Sequence, residues 1–216
     1  MGVDRNGRTD PIYVVYDVSY ATEVDVVTLN VDSAIGYTWE AVGLVWLVGV
    51  AFTKRTVRSQ SAGTRLFHLA LAALGFALLR KHGFTQGWLG VRFVPDGYSI
   101  AFAGFVLTVT GCLFAIWARL TIGRNWSGRA TVKADHQLVT SGPYAVARHP
   151  IYTGLLLAVA GTALADGEWH GVLALIVILL ALMIKMSQEE RLMMQTFPTA
   201  YPAYRQRVKA LIPGIF

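Results

Sequence analysis

The stretch that decides the fold is IYTGLLLAVAGTALADGEWHGVLALIVILLALMIKM, Ile151 to Met186. Two apolar runs, Ile151 to Ala165 and Trp169 to about Met186, flank Asp166-Gly167-Glu168. So short a polar break leaves almost no room for a loop, and the runs read as a tight helical hairpin. The first is short for a straight span, given that a helix needs roughly 17 to 25 apolar residues to cross a bilayer. Upstream lie three more apolar runs: Ile35 to Thr53, Thr64 to Leu79 with weaker flanks, and Tyr98 to Ala118. The expectation is an all-α, polytopic integral membrane protein with about five transmembrane helices, the last two a tight hairpin. Composition agrees, since 54% of the 216 residues are hydrophobic and 15% charged, well below the quarter of charged residues in soluble domains.

Three regions follow. Residues 1–33 form an acidic segment with six acids against two arginines and no signal-peptide pattern. Partial alternation in YVVYDVSY and EVDVVTLNV suggests extended structure there, with a loosely ordered tail as the competing reading. Residues 34–118 carry three spans. Residues 119–216 hold the last two, a cytoplasmic C-terminal helix and the polar motifs.

Basic residues set the orientation. Lys54, Arg55, Arg58 and Arg65 lie between the first two spans. Arg119, Arg124, Arg129, Lys133 and Arg148 lie between the third and fourth, and Arg191, Arg205, Arg207 and Lys209 after the fifth. The turn at Asp166 to His170 has no lysine or arginine. An extracytoplasmic N-terminus and a cytoplasmic C-terminus follow; Arg80, Lys81 and Arg92 run against the pattern. The net charge of +6 divides into −4 on residues 1–33 and +10 on the rest. Anionic membrane lipids suit this distribution, and no basic helix or aromatic-studded strand points to nucleic acid. Cys112 has no intrachain partner, and no pair of histidines has ligand spacing, so neither a disulfide nor a metal site is expected.

With this orientation, SGPYAVARHPIYTG (Ser141 to Gly154) lies at the cytoplasmic mouth of the fourth span. Pro150 suits a first helical turn. Arg148 and the helix end suit an anion, and Tyr144 and Tyr152 offer faces for a planar ring or a cation. A juxtamembrane belt of arginine and tyrosine is the competing reading. Lys185 and Glu189, four apart on one helical face, continue the fifth span to the same membrane level. Arg148, His149, Lys185 and Glu189 can therefore converge, although a solvated Lys-Glu pair would read the same way.

GRNWS (Gly123 to Ser127), HQLVTSGPYAVARHPIYTG (His136 to Gly154), QEERLMMQTFPTAYPAYRQRV (Gln188 to Val208) and the closing LIP together resemble the isoprenylcysteine carboxyl methyltransferase family, in particular its prokaryotic integral membrane members. The resemblance spans Ile122 to Pro213. It implies S-adenosylmethionine as cofactor, held by Thr131, His136, Leu138, Val139, Tyr144, Arg148, His149, Tyr152 and Glu189. It also implies catalytic roles for Lys185, toward the anion of the acceptor, and for Glu189. The acceptor would be a lipophilic or lipidated molecule, such as an isoprenylcysteine carboxylate. Two positions depart from the pattern: Lys185 replaces an arginine, and Pro198 a glycine. Two rival readings are an NADPH-dependent membrane reductase of the sterol reductase type, with a comparable Arg-His-Pro-x-Tyr block, and a non-enzymatic membrane scaffold.

Overall fold

A computed structural model describes residues 18–52, 56–59, 62–80, 87–126, 131–133 and 137–214. Its architecture is helical: α1 (Val18–Ala51), α2 (Ala62–Leu79), α3 (Tyr98–Ile122), α4 (Pro150–Asp166), α5 (Trp169–Thr196) and α6 (Ala200–Arg207). Among the described residues, α3 with its following turn (Tyr98–Asn125) and α5 (Trp169–Thr196) are long and apolar enough to cross a membrane, and Leu66–Leu79 and Pro150–Asp166 are shorter apolar helices. Many large apolar side chains point outward, among them Leu47, Leu66, Leu113 and Leu120. A lipid-facing surface has that character, since a bilayer imposes no penalty on exposed leucine.

Two features differ from the sequence reading. EVDVVTLNV belongs to α1, which runs unbroken through residue 33, so the alternation there does not make a strand. YVVYDVSY lies mostly outside the described residues. Strand β1 (Thr56–Ser59) also pairs antiparallel with β2 (Thr131–Lys133), a small ribbon that joins two loops distant in sequence.

The closest packing is between α3 and α4. Gly104, Thr108, Gly111 and Ala115 of α3 face Gly154, Ala158, Gly161 and Ala165 of α4, and a Cβ placed on Gly111 or Gly161 would come within 2.4 Å of a backbone nitrogen of the other helix. Small residues at this spacing let helix backbones approach, the source of van der Waals stabilisation where lipid supplies no hydrophobic drive. The Thr108 hydroxyl, buried in the seam, donates to the Gly104 carbonyl at 2.9 Å. Trp39 of α1 donates its indole N–H to Thr162 at 3.1 Å, fastening α1 to the same seam.

Helix α4 ends at Gly167, whose φ of 70° and ψ of 11° are left-handed; its N–H returns to the Ala163 carbonyl at 2.9 Å. This glycine cap closes the last turn and lets α5 start two residues later. Gly171 packs on Ala163 beside the connection, and at the far ends of the two helices Tyr152 reaches Glu189. Beside the connection His170 is fully buried, with Nδ1 donating to the Leu78 carbonyl at 2.8 Å. This bond ties α5 to α2.

Candidate active site

The start of α4 and the end of α5 enclose a cavity of about 130 Å³ whose lining includes Leu138, Val139, Tyr144, Arg148, His149, Tyr152 and Glu189. Seven of the nine residues expected around a cofactor therefore meet at one place. Of the other two, Thr131 lies on β2, where its backbone pairs with Ser59, and His136 lies outside the described residues. Lys185 is also absent from the lining and stands just behind it, with Nζ 3.7 Å from Glu189 Oε1 and 5.4 Å from the centre of the Tyr152 ring.

The geometry gives adjacent residues different roles. Tyr152 donates its hydroxyl to Glu189 Oε2 at 2.6 Å, and its ring stacks on the His149 imidazole at 5.3 Å with 3° between planes. Glu189 is thus fixed from one side by a phenol and from the other by the Lys185 ammonium, and it presents its carboxylate to the cavity.

Glu190, one residue on, turns about 100° around the helix. Its Oε1 accepts from Arg148 Nε at 3.0 Å and Nη2 at 2.7 Å. His149 Nε2 lies 3.4 Å from the same oxygen, and Arg205 Nε lies 3.6 Å from Oε2.

Arg148 lines the cavity, but its guanidinium is largely committed elsewhere. Besides Glu190, it donates to the carbonyls of Arg205, at 3.2 Å, and Val208. The backbone N–H groups of Arg148 and His149 donate to the carbonyls of Lys209 (2.8 Å) and Ala210 (2.9 Å). Thr153 donates to the Leu211 carbonyl at 2.8 Å, and Tyr204 to the Tyr144 carbonyl at 2.5 Å. The C-terminal segment thus packs against the lead-in and first turn of α4 through the carbonyls of Lys209, Ala210 and Leu211.

Tyr201 and Tyr204, both 3% exposed, complete the aromatic wall. Burial pushes the Tyr204 phenol up to about 12. Burial first, then Glu189 and Tyr204, raise that of Tyr144 further, and burial first, then Glu190, that of Tyr201. These three groups stay protonated phenols through the physiological range and serve as walls and donors. Residues to which the sequence assigned no role also contribute to the lining: Asn125, Trp126, Leu192, Met193, Tyr201 and Tyr204. The Tyr-x-x-Tyr spacing and the GRNWS stretch were the visible signals for four of them.

Comparison with known proteins extends this picture. The family described as "Phospholipid methyltransferase" matches residues 100–200. A probable protein-S-isoprenylcysteine O-methyltransferase of Oryza sativa subsp. indica is 29% identical over 146 residues, covering 66% of this chain and 75% of that protein. The protein-S-isoprenylcysteine O-methyltransferase of Schizosaccharomyces pombe is 29% identical over 58% of this chain and 53% of its own length. The cobalt-zinc-cadmium resistance protein CzcN of Cupriavidus metallidurans is 36% identical over 44% of each chain. The solved structure of a eukaryotic intramembrane Ras methyltransferase, an isoprenylcysteine carboxyl methyltransferase, aligns with a TM-score of 0.46 and 23% identity, over 72% of this chain and 54% of that one.

Proposed function

We propose that this chain, similar to protein-S-isoprenylcysteine O-methyltransferases at 29% identity and to the phospholipid methyltransferase family over residues 100–200, is an integral membrane methyltransferase that moves a methyl group from S-adenosylmethionine to a lipophilic acceptor. The observation that carries the reading is the meeting of Tyr144, His149, Tyr152 and Glu189, drawn from separate segments, around one cavity. The proposed setting is five membrane spans, the last two a hairpin, with the site on the cytoplasmic side where the basic loops gather.

The lining fits this cofactor. An anionic carboxylate, Glu189, faces a cavity with several aromatic walls, and the buried Asn125 Oδ1 has no hydrogen-bond partner among the described residues. The enclosed volume is about 130 Å³, below the roughly 300 to 1,000 Å³ of most small-molecule sites, so a nucleoside cofactor would extend toward the open mouth. When bound, the cofactor supplies a sulfonium methyl that an acceptor displaces in line.

The protein's own residues hold and align. Glu189, oriented by the Tyr152 hydroxyl, suits the cationic part of the cofactor. Arg148, which lines the cavity with most of its guanidinium donors given to Glu190 and two carbonyls, braces the wall. Lys185, paired with Glu189 just behind the lining, is the candidate cation for an acceptor anion that approaches from that side. A carboxylate acceptor is already ionised and needs no general base, so positioning and exclusion of water are what the site must provide. Charge on acceptor and sulfonium is neutralised during transfer, which a water-poor cavity favours.

The test is transfer of labelled methyl from S-adenosylmethionine to N-acetyl-S-farnesylcysteine and to lipid extracts by purified protein. Label entering an organic-soluble product, and lost with Glu189→Gln, supports the reading. Binding of NADPH with no methyl transfer to any extract would move the chain to the reductase reading.

A further inference from the structure

Among the described residues, the ionisable side chains of the α4–α5 part of the lining, Arg148, His149, Tyr152 and Glu189, come from α4, its lead-in and α5. Among the described residues, the wall supplied by the end of α3 and by residues 137–139 carries Ile122, Asn125, Trp126, Gln137, Leu138 and Val139, none of them charged. A cation and a neutral planar group would therefore sort to different walls. Burying a charge against an uncharged wall is costly, whereas a neutral heterocycle loses little there.

Two details sharpen what the neutral wall recognises. Trp126 is held rigidly: the Arg119 guanidinium lies 4.4 Å from its ring centre and is itself pinned by donation to the carbonyls of Gly49 (2.8 Å) and Gly123 (2.9 Å). Beside it, Asn125 keeps its Oδ1 buried without a partner among the described residues. A buried polar atom left unpaired costs free energy unless a ligand completes it. A carboxamide presents one acceptor and one donor side by side, the complement of the N6/N7 edge of a 6-aminopurine.

We propose that Asn125 reads the adenine of the cofactor, with Oδ1 accepting from the N6 amine and Nδ2 donating to N7, while the braced Trp126 supplies the adjoining aromatic surface. The inference rests on the methyltransferase reading and assigns a base-specificity residue to that site. A hypoxanthine base offers acceptors at both O6 and N7, so neither orientation of the amide can satisfy both contacts.

The experiment is calorimetric binding of S-adenosylhomocysteine and S-inosylhomocysteine to the detergent-solubilised full chain and to Asn125→Ala. The wild type is expected to prefer the adenosyl ligand by about tenfold or more, the order of effect when a buried polar group is left unpaired. In Asn125→Ala the ratio should fall toward one, chiefly through weaker adenosyl binding. Equal wild-type affinities overturn the assignment, as does a folded Asn125→Ala that keeps the preference; if that variant does not fold, the wild-type ratio decides alone. Failure of the wild type to bind S-adenosylhomocysteine at all would overturn the methyltransferase reading itself, an outcome distinct from binding without discrimination.

Discussion

Glu189 and Glu190 stand next to each other in sequence and face different tasks, because consecutive helical residues do not share a face. Glu189 meets Tyr152 and Lys185 at the cavity, Glu190 meets Arg148 and Arg205, and His149 lies between them, 3.7 Å from Glu189 and 3.4 Å from Glu190. Their neutral substitutions should therefore separate. Glu189→Gln is expected to leave thermal stability nearly unchanged and to lower cofactor affinity by about tenfold or more, the scale of a lost charge-assisted contact. Glu190→Gln leaves the Arg148 guanidinium, 7% exposed, without its ion-pair partner. Breaking a buried pair in this way costs about 3 to 5 kcal/mol, which a melting measurement in detergent would register as a clear loss of stability.

Equal losses of stability in the two variants would contradict this division. The sequence showed that these residues could converge but not which acceptor Arg148 would choose. Its preference for Glu190 and for two backbone carbonyls depends on where the chain after α6 returns, and no local spacing encodes that.

At the scale of elements, hydrophobic runs located α2, α3, α4 and α5 well, since each run must be covered along its whole length by lipid or by another helix. The beginning of α1 was not legible. Glu23 to Val31 mixes β-branched and polar residues in partial alternation, so local preference and the observed helix disagree. The β1–β2 ribbon was invisible because TVRS and TVK are short, polar and more than seventy residues apart. The α3–α4 seam, with Gly154 and Gly161 facing Gly104 and Gly111, required the three-dimensional register.

That register makes a firm prediction. Gly111→Val and Gly161→Val drive side-chain atoms into the opposing backbone, which a Cβ alone approaches to 2.4 Å, and each should destabilise by about 1 to 3 kcal/mol or more. Gly43→Val, where a Cβ meets nothing within 4 Å, serves as the control and should melt close to wild type. A control as unstable as the seam variants would remove the seam from the account.

For the whole molecule, the proposed arrangement places the site on the cytoplasmic side and the start of α3 on the other. Ser99 and Gln206 are both exposed, and Cys112 is buried at 1% exposure, so a Cys112→Ala background suits single-cysteine labelling. Ser99→Cys should react with an impermeant maleimide in intact cells, and Gln206→Cys after permeabilisation. The reverse pattern would invert the topology, and labelling of both in intact cells would break the five-span reading.

The measurement that bears most directly on the central claim is isothermal calorimetry of S-adenosylmethionine with the purified full chain, beside NADPH and beside the Glu189→Gln variant. The account predicts saturable, roughly one-to-one binding of S-adenosylmethionine, weakened in a folded Glu189→Gln variant, and no heat from NADPH. NADPH binding in place of S-adenosylmethionine, or S-adenosylmethionine binding indifferent to Glu189, would contradict it.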